Sequence, residues 1–268
     1  MTEALTGPRR RLVAGLTALR MALALLPSSG QEQAPAAPAT PPEALPTADA
    51  VFEKYRAAIG GEAAIRRYSH RTVRGQFAIP AQGMSGDLLV LASAPDRMRL
   101  TVSLPGLGDM QRGYDGTTGW SMDPAVGPRL LEGRELAELK HSADFYEDLH
   151  DSSQYRSATV VGRTGFEGQD CYEVKVVRDS GFEFTEFFDT ATGLLAGIKM
   201  DATSQMGTVP VTTLVGEYKA FGGLLTPTLT RQRMLGLESR MTISSITFDP
   251  IDPEAYELPP QIAALVSR

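Results

Sequence analysis

Cysteine and histidine are scarce in this chain of 268 residues, which has one cysteine, Cys171, and three histidines. A lone cysteine forbids an intramolecular disulfide and any Cys-based metal site, and Cys171 is expected as a small buried strand residue. No cysteine follows the N-terminal apolar run, which argues against a lipid-modified N-terminus. His70, His141 and His150 lack ligand spacing, since the last two are nine residues apart and two imidazoles share a helix face at a separation of four. No Gly-x-Ser-x-Gly turn and no strand-to-helix phosphate loop occurs. Glu147, Asp148 and Asp151 cluster at an expected helix end and read as a solvated patch. Nothing selects a catalytic pair of carboxylates.

Positive charge is also in short supply. Lys and Arg number 26 against 32 Asp and Glu, for a net charge of -6. Residues 1–30 hold Arg9, Arg10, Arg11 and Arg20 against Glu3, so the chain without them stands at -9. That balance argues against nucleic acid and against electrostatic docking on anionic lipid. Hydrophobic residues reach 42%, enough for a substantial core.

Arg9-Arg10-Arg11, an apolar run from Leu12 to Leu26 and Pro27-Ser28-Ser29-Gly30 follow the order of a secretory signal. The run is shorter than the roughly 20 residues that span a bilayer, so residues 1–30 are expected to be a cleaved signal and the protein exported. Residues 31–47, rich in Pro and Ala, read as an extended linker. A domain over 48–259 and a C-terminal tail over 260–268 are expected.

The domain begins with an amphipathic helix. Val51, Phe52, Tyr55 and Ile59 share one face, and Gly60-Gly61 stops it. A second short helix is expected over 62–68. Period-two alternation then marks strands around Val73 to Ile79, Met84 to Val90 and Met98 to Leu104. Short turns join them, so an antiparallel meander follows. A hairpin, Gly113-Tyr114-Asp115-Gly116 to Gly119-Trp120, passes through Asp123-Pro124 and Gly127-Pro128-Arg129 into a helix expected from Glu132 to Leu149. Strands resume at 157–162, 170–177, 182–189, 194–202, 208–218, 224–234 and 239–248. About ten or eleven strands leave one large apolar face and only two substantial helices to cover it.

The set of features resembles the outer-membrane lipoprotein-sorting (LolA-like) periplasmic proteins. It comprises Gly60-Gly61 after an amphipathic helix, Gly75-x-Phe77-x-Ile79-Pro80, Ala94-Pro95, the hairpin ending at Gly119-Trp120, Gly127-Pro128-Arg129, and Asp189 with Thr192-Gly193-Leu194. The resemblance runs from about Ala48 to Pro259. It implies a mainly β fold, a single curved antiparallel sheet forming an unclosed half-barrel, with two or three helices over its concave face. It further implies a periplasmic, non-enzymatic carrier or sensor of acyl chains. On that reading the lipid-binding residues are Phe77, Ile79, Leu88, Val90, Met98, Leu100, Val102, Trp120, Met122, Leu136 and Leu139. The lid hinge is Asp123, Pro124, Gly127 and Pro128, and Arg97, Arg99 and Arg129 are alternative lid latches. The expected partners are lipoprotein acyl chains or free lipid, with inner- or outer-membrane transport components in transit. No cofactor, metal or nucleic acid is expected, and the chain is expected to act as a monomer. A non-catalytic scaffold binding a protein segment in the same concavity is the alternative, and a hydrolase the third.

Overall fold

The computed structural model describes residues 44–204 and 207–267. The segment read as a signal, and the linker as far as residue 43, lie outside the described residues. Thr47 opens α1 (Ala48–Ala58) by accepting the Ala50 amide on its hydroxyl, which satisfies one of the helix's orphan donors. Ala48, Val51, Phe52 and Tyr55 form its buried stripe. After α2 (Glu62–Ile65) come six antiparallel strands: β1 (His70–Ile79), β2 (Met84–Ser93), β3 (Arg97–Leu104), β4 (Gly108–Tyr114), β5 (Gly119–Asp123) and β6 (Gly127–Leu130). Helix α3 (Gly133–Ala143) then interrupts the sheet. Seven more strands follow: β7 (Tyr155–Phe166), β8 (Gln169–Arg178), β9 (Glu183–Asp189), β10 (Leu195–Ser204), β11 (Gly207–Phe221), β12 (Leu224–Met234) and β13 (Leu237–Thr247). Helix α4 (Pro260–Val266) ends the described chain.

All thirteen strands form one sheet in the order β6-β5-β4-β3-β2-β1-β13-β12-β11-β10-β9-β8-β7. It is two meanders joined where β1 pairs with β13. The edges β6 and β7 do not pair, so the sheet is an unclosed half-barrel. Residues opposite one another in a ladder share a face, and following the register sorts the side chains. Val176, Phe184, Met200 and Val211 lie on one face of one wing. Through β12 and β13 that face continues to Met241, Phe77, Leu88, Val102 and Met110 on the other wing. Both α1 and α3 pack on this face. α1 joins a core of Val174, Val176, Phe184 and Phe188, and α3 joins Met98, Tyr114 and Leu131. Because α3 touches β4 and β5 on one wing and β10 on the other, the sheet curves about it and this face is concave.

The outer face has its own cover. Phe166, from the end of β7, stacks on Phe187 at 4.1 Å in a small core with Cys171, Ala196 and Leu214. Cys171 is fully buried there, as its sequence context suggests, and burial pushes its thiol up to about 11.

Several boundaries differ from the sequence reading. Gly127–Leu130, whose Pro and Gly read as a corner, pairs with β5 as an edge strand and helps take the sheet beyond ten or eleven strands. The helix expected from Glu132 to Leu149 ends at Ala143, because the Asp144 carboxylate accepts the Tyr146 amide and turns the chain into a separate 3-10 turn at Glu147–Leu149. Residues read as a tail contain α4, whose Ile262 is fully buried.

Candidate functional site

The concave face of β1 to β4 is an unfinished core. Leu88, Val102 and Leu104 are buried, while Phe77, Val90, Leu100, Met110 and Met241 pack against them half-exposed. Large apolar side chains held together and left partly open to solvent keep a share of the burial free energy, about 25 cal/mol per Å², unrealised. A guest that covered them would collect it.

Helix α3 roofs part of this floor, and its seating depends on one glycine. A Cβ at Gly119 would stand 2.5 Å from Leu136 Cδ1 and 3.1 Å from Leu139 Cδ2, so only glycine lets the helix lie directly on β5. Leu139 is buried and Leu136 half-buried against the same cluster. The first turn of α3 is fastened by a two-pronged pair, with Arg129 Nη1 donating to Glu135 Oε2 at 2.7 Å and Nη2 to Oε1 at 2.9 Å. The hydrogen bond from Arg129 holds the Glu135 carboxyl below its ordinary range. Arg112 Nη2 adds a longer bond to the Glu135 carbonyl, and Arg134 Nη2 reaches the Asp201 carbonyl on the opposite wing at 2.9 Å. A cleft of about 640 Å³ flanks α3, lined by Leu136, Lys140, His141, Asp144 and Arg178 among others. Two lining groups there, His141 Nδ1 and Arg178 Nε, are buried without a hydrogen-bond partner. The roof is therefore fastened chiefly at its first turn and less firmly along its flank.

Under α1 the concave face turns polar. His150 Nε2 lies 3.1 Å from each Glu186 carboxylate oxygen, with both side chains buried. Burial alone would lower the His150 pKa, but the charge of Glu186, its hydrogen bond and Asp148 outweigh it and raise the imidazole above its ordinary value. Phe52 of α1 stacks on the His150 ring at 4.4 Å, and Tyr55 donates to Asp148 Oδ1 at 2.6 Å. Glu147 is pushed well above the carboxylate range by burial and then by Asp148. His141 goes the other way, down to about 3, through burial and then the charge of Arg178. A further pair escaped the sequence reading: His70 Nδ1 lies 2.9 Å from Ser93 Oγ, which bonds the Tyr256 hydroxyl at 2.7 Å. Ser93 and Tyr256 are buried, so the trio ties the C-terminal segment to β1 and β2. Among the described residues no group of three His, Cys, Asp or Glu is arranged to hold a metal.

The structure brings together nine of the eleven residues expected to bind lipid. Phe77, Ile79, Leu88, Val90, Met98, Leu100 and Val102 share the concave face by register, and Leu136 and Leu139 face them from α3. Trp120 and Met122 do not join them. Gly113 lies opposite Trp120 and Gln111 opposite Met122, while Arg112 and Tyr114 take the concave positions. Trp120 is buried on the outer face, its ring filling the space a Cβ at Gly113 would occupy and lying 5.7 Å from the Arg99 guanidinium. Arg99 in turn bonds the Ala255 carbonyl at 3.2 Å, so Trp120 serves the C-terminal cover.

The four hinge candidates belong to the β5–β6 hairpin. Asp123 Oδ1 accepts the Ala125 and Val126 amides, Gly127 has a φ of 89°, and Pro128 sits in β6 opposite Met122. The sheet passes into α3 later, at Leu131–Gly133, where the Leu131 amide bonds the Gly119 carbonyl at 2.8 Å and Gly133 has a φ of 53°. Of the three candidate latches, Arg129 alone makes a bond to α3; Arg99 is on the outer face and Arg97 is exposed.

No protein-family model matches the sequence, and no curated protein matches it. Solved structures do share its fold. A LolA superfamily protein from Nitrosomonas europaea superposes with a TM-score of 0.54 at 14% identity, over 80% of this chain and 99% of that one. An outer membrane lipoprotein-sorting protein domain, so described, from Vibrio parahaemolyticus gives 0.52 at 14% identity, over 82% and 100%. A DUF1329 family protein from Desulfovibrio piger gives 0.54 at 12% identity, over 78% and 97%. The chain has a LolA-like fold.

Proposed function

We propose that this LolA-like half-barrel is an exported, periplasmic, non-enzymatic carrier or sensor that holds the acyl chains of lipoproteins or free lipid on its concave face. The observation that carries the reading is the half-exposed apolar floor of Phe77, Val90, Leu100, Met110 and Met241 beneath a partial roof. Flexible thioethers at Met110 and Met241 suit chains of varied length. Loading would lift α3 about Leu131–Gly133 after the Arg129–Glu135 pair opens, and the cleft along its flank gives the helix room to move. Export rests on the order of residues 9–30.

Displacement of a fluorescent fatty acid tests the reading. Unmodified protein should bind it, while Phe77→Glu and Leu100→Glu, which place a charge on the floor, should weaken binding by at least about tenfold with an unchanged circular dichroism spectrum. Equal binding by the charged variants would place the guest elsewhere.

A further inference from the structure

The two ends of the sheet are built from different turns. In a meander every second turn falls at the same end, and β13 runs antiparallel to β1, so the β1–β2, β3–β4, β5–β6 and β12–β13 turns are neighbours along one rim. Their residues, Pro80–Gly83, Pro105–Leu107, Pro124–Val126 and Leu235–Gly236, include no charged side chain. The opposite end carries Asp96 and Asp115 in its turns and Asp189 beside another, while Glu167, at the tip of the β7–β8 hairpin, pairs with Arg233 next to Met234. Eight large apolar side chains are exposed among the described residues, and five of them stand on this rim: Leu107 (55%), Val126 (63%), Met234, Leu235 (65%) and Leu237. Of the others, Leu45 and Val266 lie near the ends of the described chain and Val161 on the edge strand β7.

The two ends also differ in their cover. Lys54 of α1 bonds the Thr190 and Ala191 carbonyls, Tyr68 bonds Gly222, and the Phe145 amide bonds Pro95, all at the acidic end. Ile79 and Met84 pair at the other end, on the concave face. The trough therefore runs out beside the apolar rim.

We infer that this rim docks on the surface of a lipid bilayer, with Leu107, Val126 and Leu235 inserting as separate tips. Eight strands at a spacing of about 4.8 Å spread the tips along a curved line of roughly 34 Å. A partner helix or strand cannot follow a curved row of isolated tips, whereas a fluid planar surface meets them together. The side chains are dispersed one or two to a turn and do not form the contiguous apolar centre of a protein interface. The sequence is acidic overall, so contact with a bilayer is least opposed where charge is missing. Of the charges flanking the tips, Asp123 is turned onto the Ala125 and Val126 amides, Arg233, Glu238 and Arg240 pair with one another and with Glu167, and Asp109 stands exposed two residues past Leu107. The β8–β9 turn is not part of this rim, since its Asp179 lines the cleft beside α3 together with Pro95 and Asp96. The rim can dock whether or not the trough carries a guest.

Vesicle flotation of the full chain tests the inference, using phosphatidylcholine vesicles and vesicles of phosphatidylethanolamine with phosphatidylglycerol. The unaltered chain should float with both, with less than about a threefold change between low and high salt, because insertion of apolar side chains is not screened. Replacing Leu107, Val126 and Leu235 together by Ser should lower the partition coefficient about 100-fold or more. The same replacement at Val161 should leave it unchanged. Both chains keep the same N-terminus, so their difference reads the rim alone, and the altered side chains are exposed, so the melting temperature should hold. No flotation of the unaltered chain, equal flotation of the triple variant, or binding that disappears in salt would each overturn the inference; a protein captured at the rim without flotation would do so too. Loss of fatty-acid binding with flotation intact counts against the carrier reading alone. Loss of flotation with fatty-acid binding intact counts against the docking alone.

Discussion

Gly119 and Trp120 are neighbours in the chain and serve opposite faces of the sheet. Gly119 lets α3 down onto the concave side, and Trp120 fills the outer side over Gly113. Guest loading should accordingly leave Trp120 emission unchanged in a fatty-acid titration, while a Phe77→Trp variant should shift to the blue. A Gly119→Val change should drive α3 off its seat and lower stability by about 1–3 kcal/mol, measurable by urea unfolding. That Trp120 mattered could be read from the sequence, but its face could not. Alternation shows which residues share a side within one strand, and only the pairing across the Asp115–Thr118 turn decides how β5 is phased against β4. The His150–Glu186 pair was hidden for a similar reason, since the two residues are 36 apart and meet only through the fold.

The same buried groups give a pH dependence with a definite sign. A histidine held above its ordinary value of about 6.5 contributes stability that is complete below that pH and is lost as pH rises through the folded value. Glu147, raised in the fold, stays protonated there when it would ionise in the unfolded chain, so its effect also falls with rising pH. His141 and Glu135 are lowered, so their contributions are lost towards acid and are complete at neutral pH. Above about pH 7 the first two therefore decide the slope, and the melting temperature should fall between pH 7 and 9. His150→Gln and Glu147→Gln should each flatten that slope, and a flat profile in the unaltered protein would contradict the assignment.

Among the elements, α3 is the movable one. It is only eleven residues long, and a helix that short has little stability of its own, so its seating depends on Leu139, on Gly119 and on the Arg129–Glu135 pair. The pair is largely shielded, with side chains 27% and 17% exposed, and its two-pronged geometry makes it worth about 1 kcal/mol. Arg129→Gln should speed amide hydrogen exchange in residues 133–143 several-fold more than elsewhere, without unfolding the sheet. Uniform exchange across the protein would mean the pair does not fasten the helix separately. The sequence made α1 plain, through its Thr47 cap, its apolar stripe and the glycines after it. It blurred the end of α3, where an acidic stretch continues past Asp144, and it hid α4, whose seven residues begin at the second of two prolines and show too short a period to register.

Taken whole, the molecule is a sheet with too few helices. The thirteen-stranded order follows from short turns and regular alternation, which is why an antiparallel meander was legible before any pairing was known, whereas the unclosed half-barrel was implied by the family resemblance alone. Its edges, its curvature about α3 and the division of the rim into an acidic and an apolar end depend on register and on contacts between distant segments. What remains uncovered on the concave side is the floor of Phe77, Val90, Leu100, Met110 and Met241, and the central claim is that acyl chains lie there. Native mass spectrometry of the gently purified protein, followed by lipid extraction of the same sample, addresses it most directly. The account predicts a bound species with the mass of an acylated molecule, lost in the Leu100→Glu variant. A clean unliganded mass that stays unchanged after incubation with fatty acid or phospholipid would contradict it.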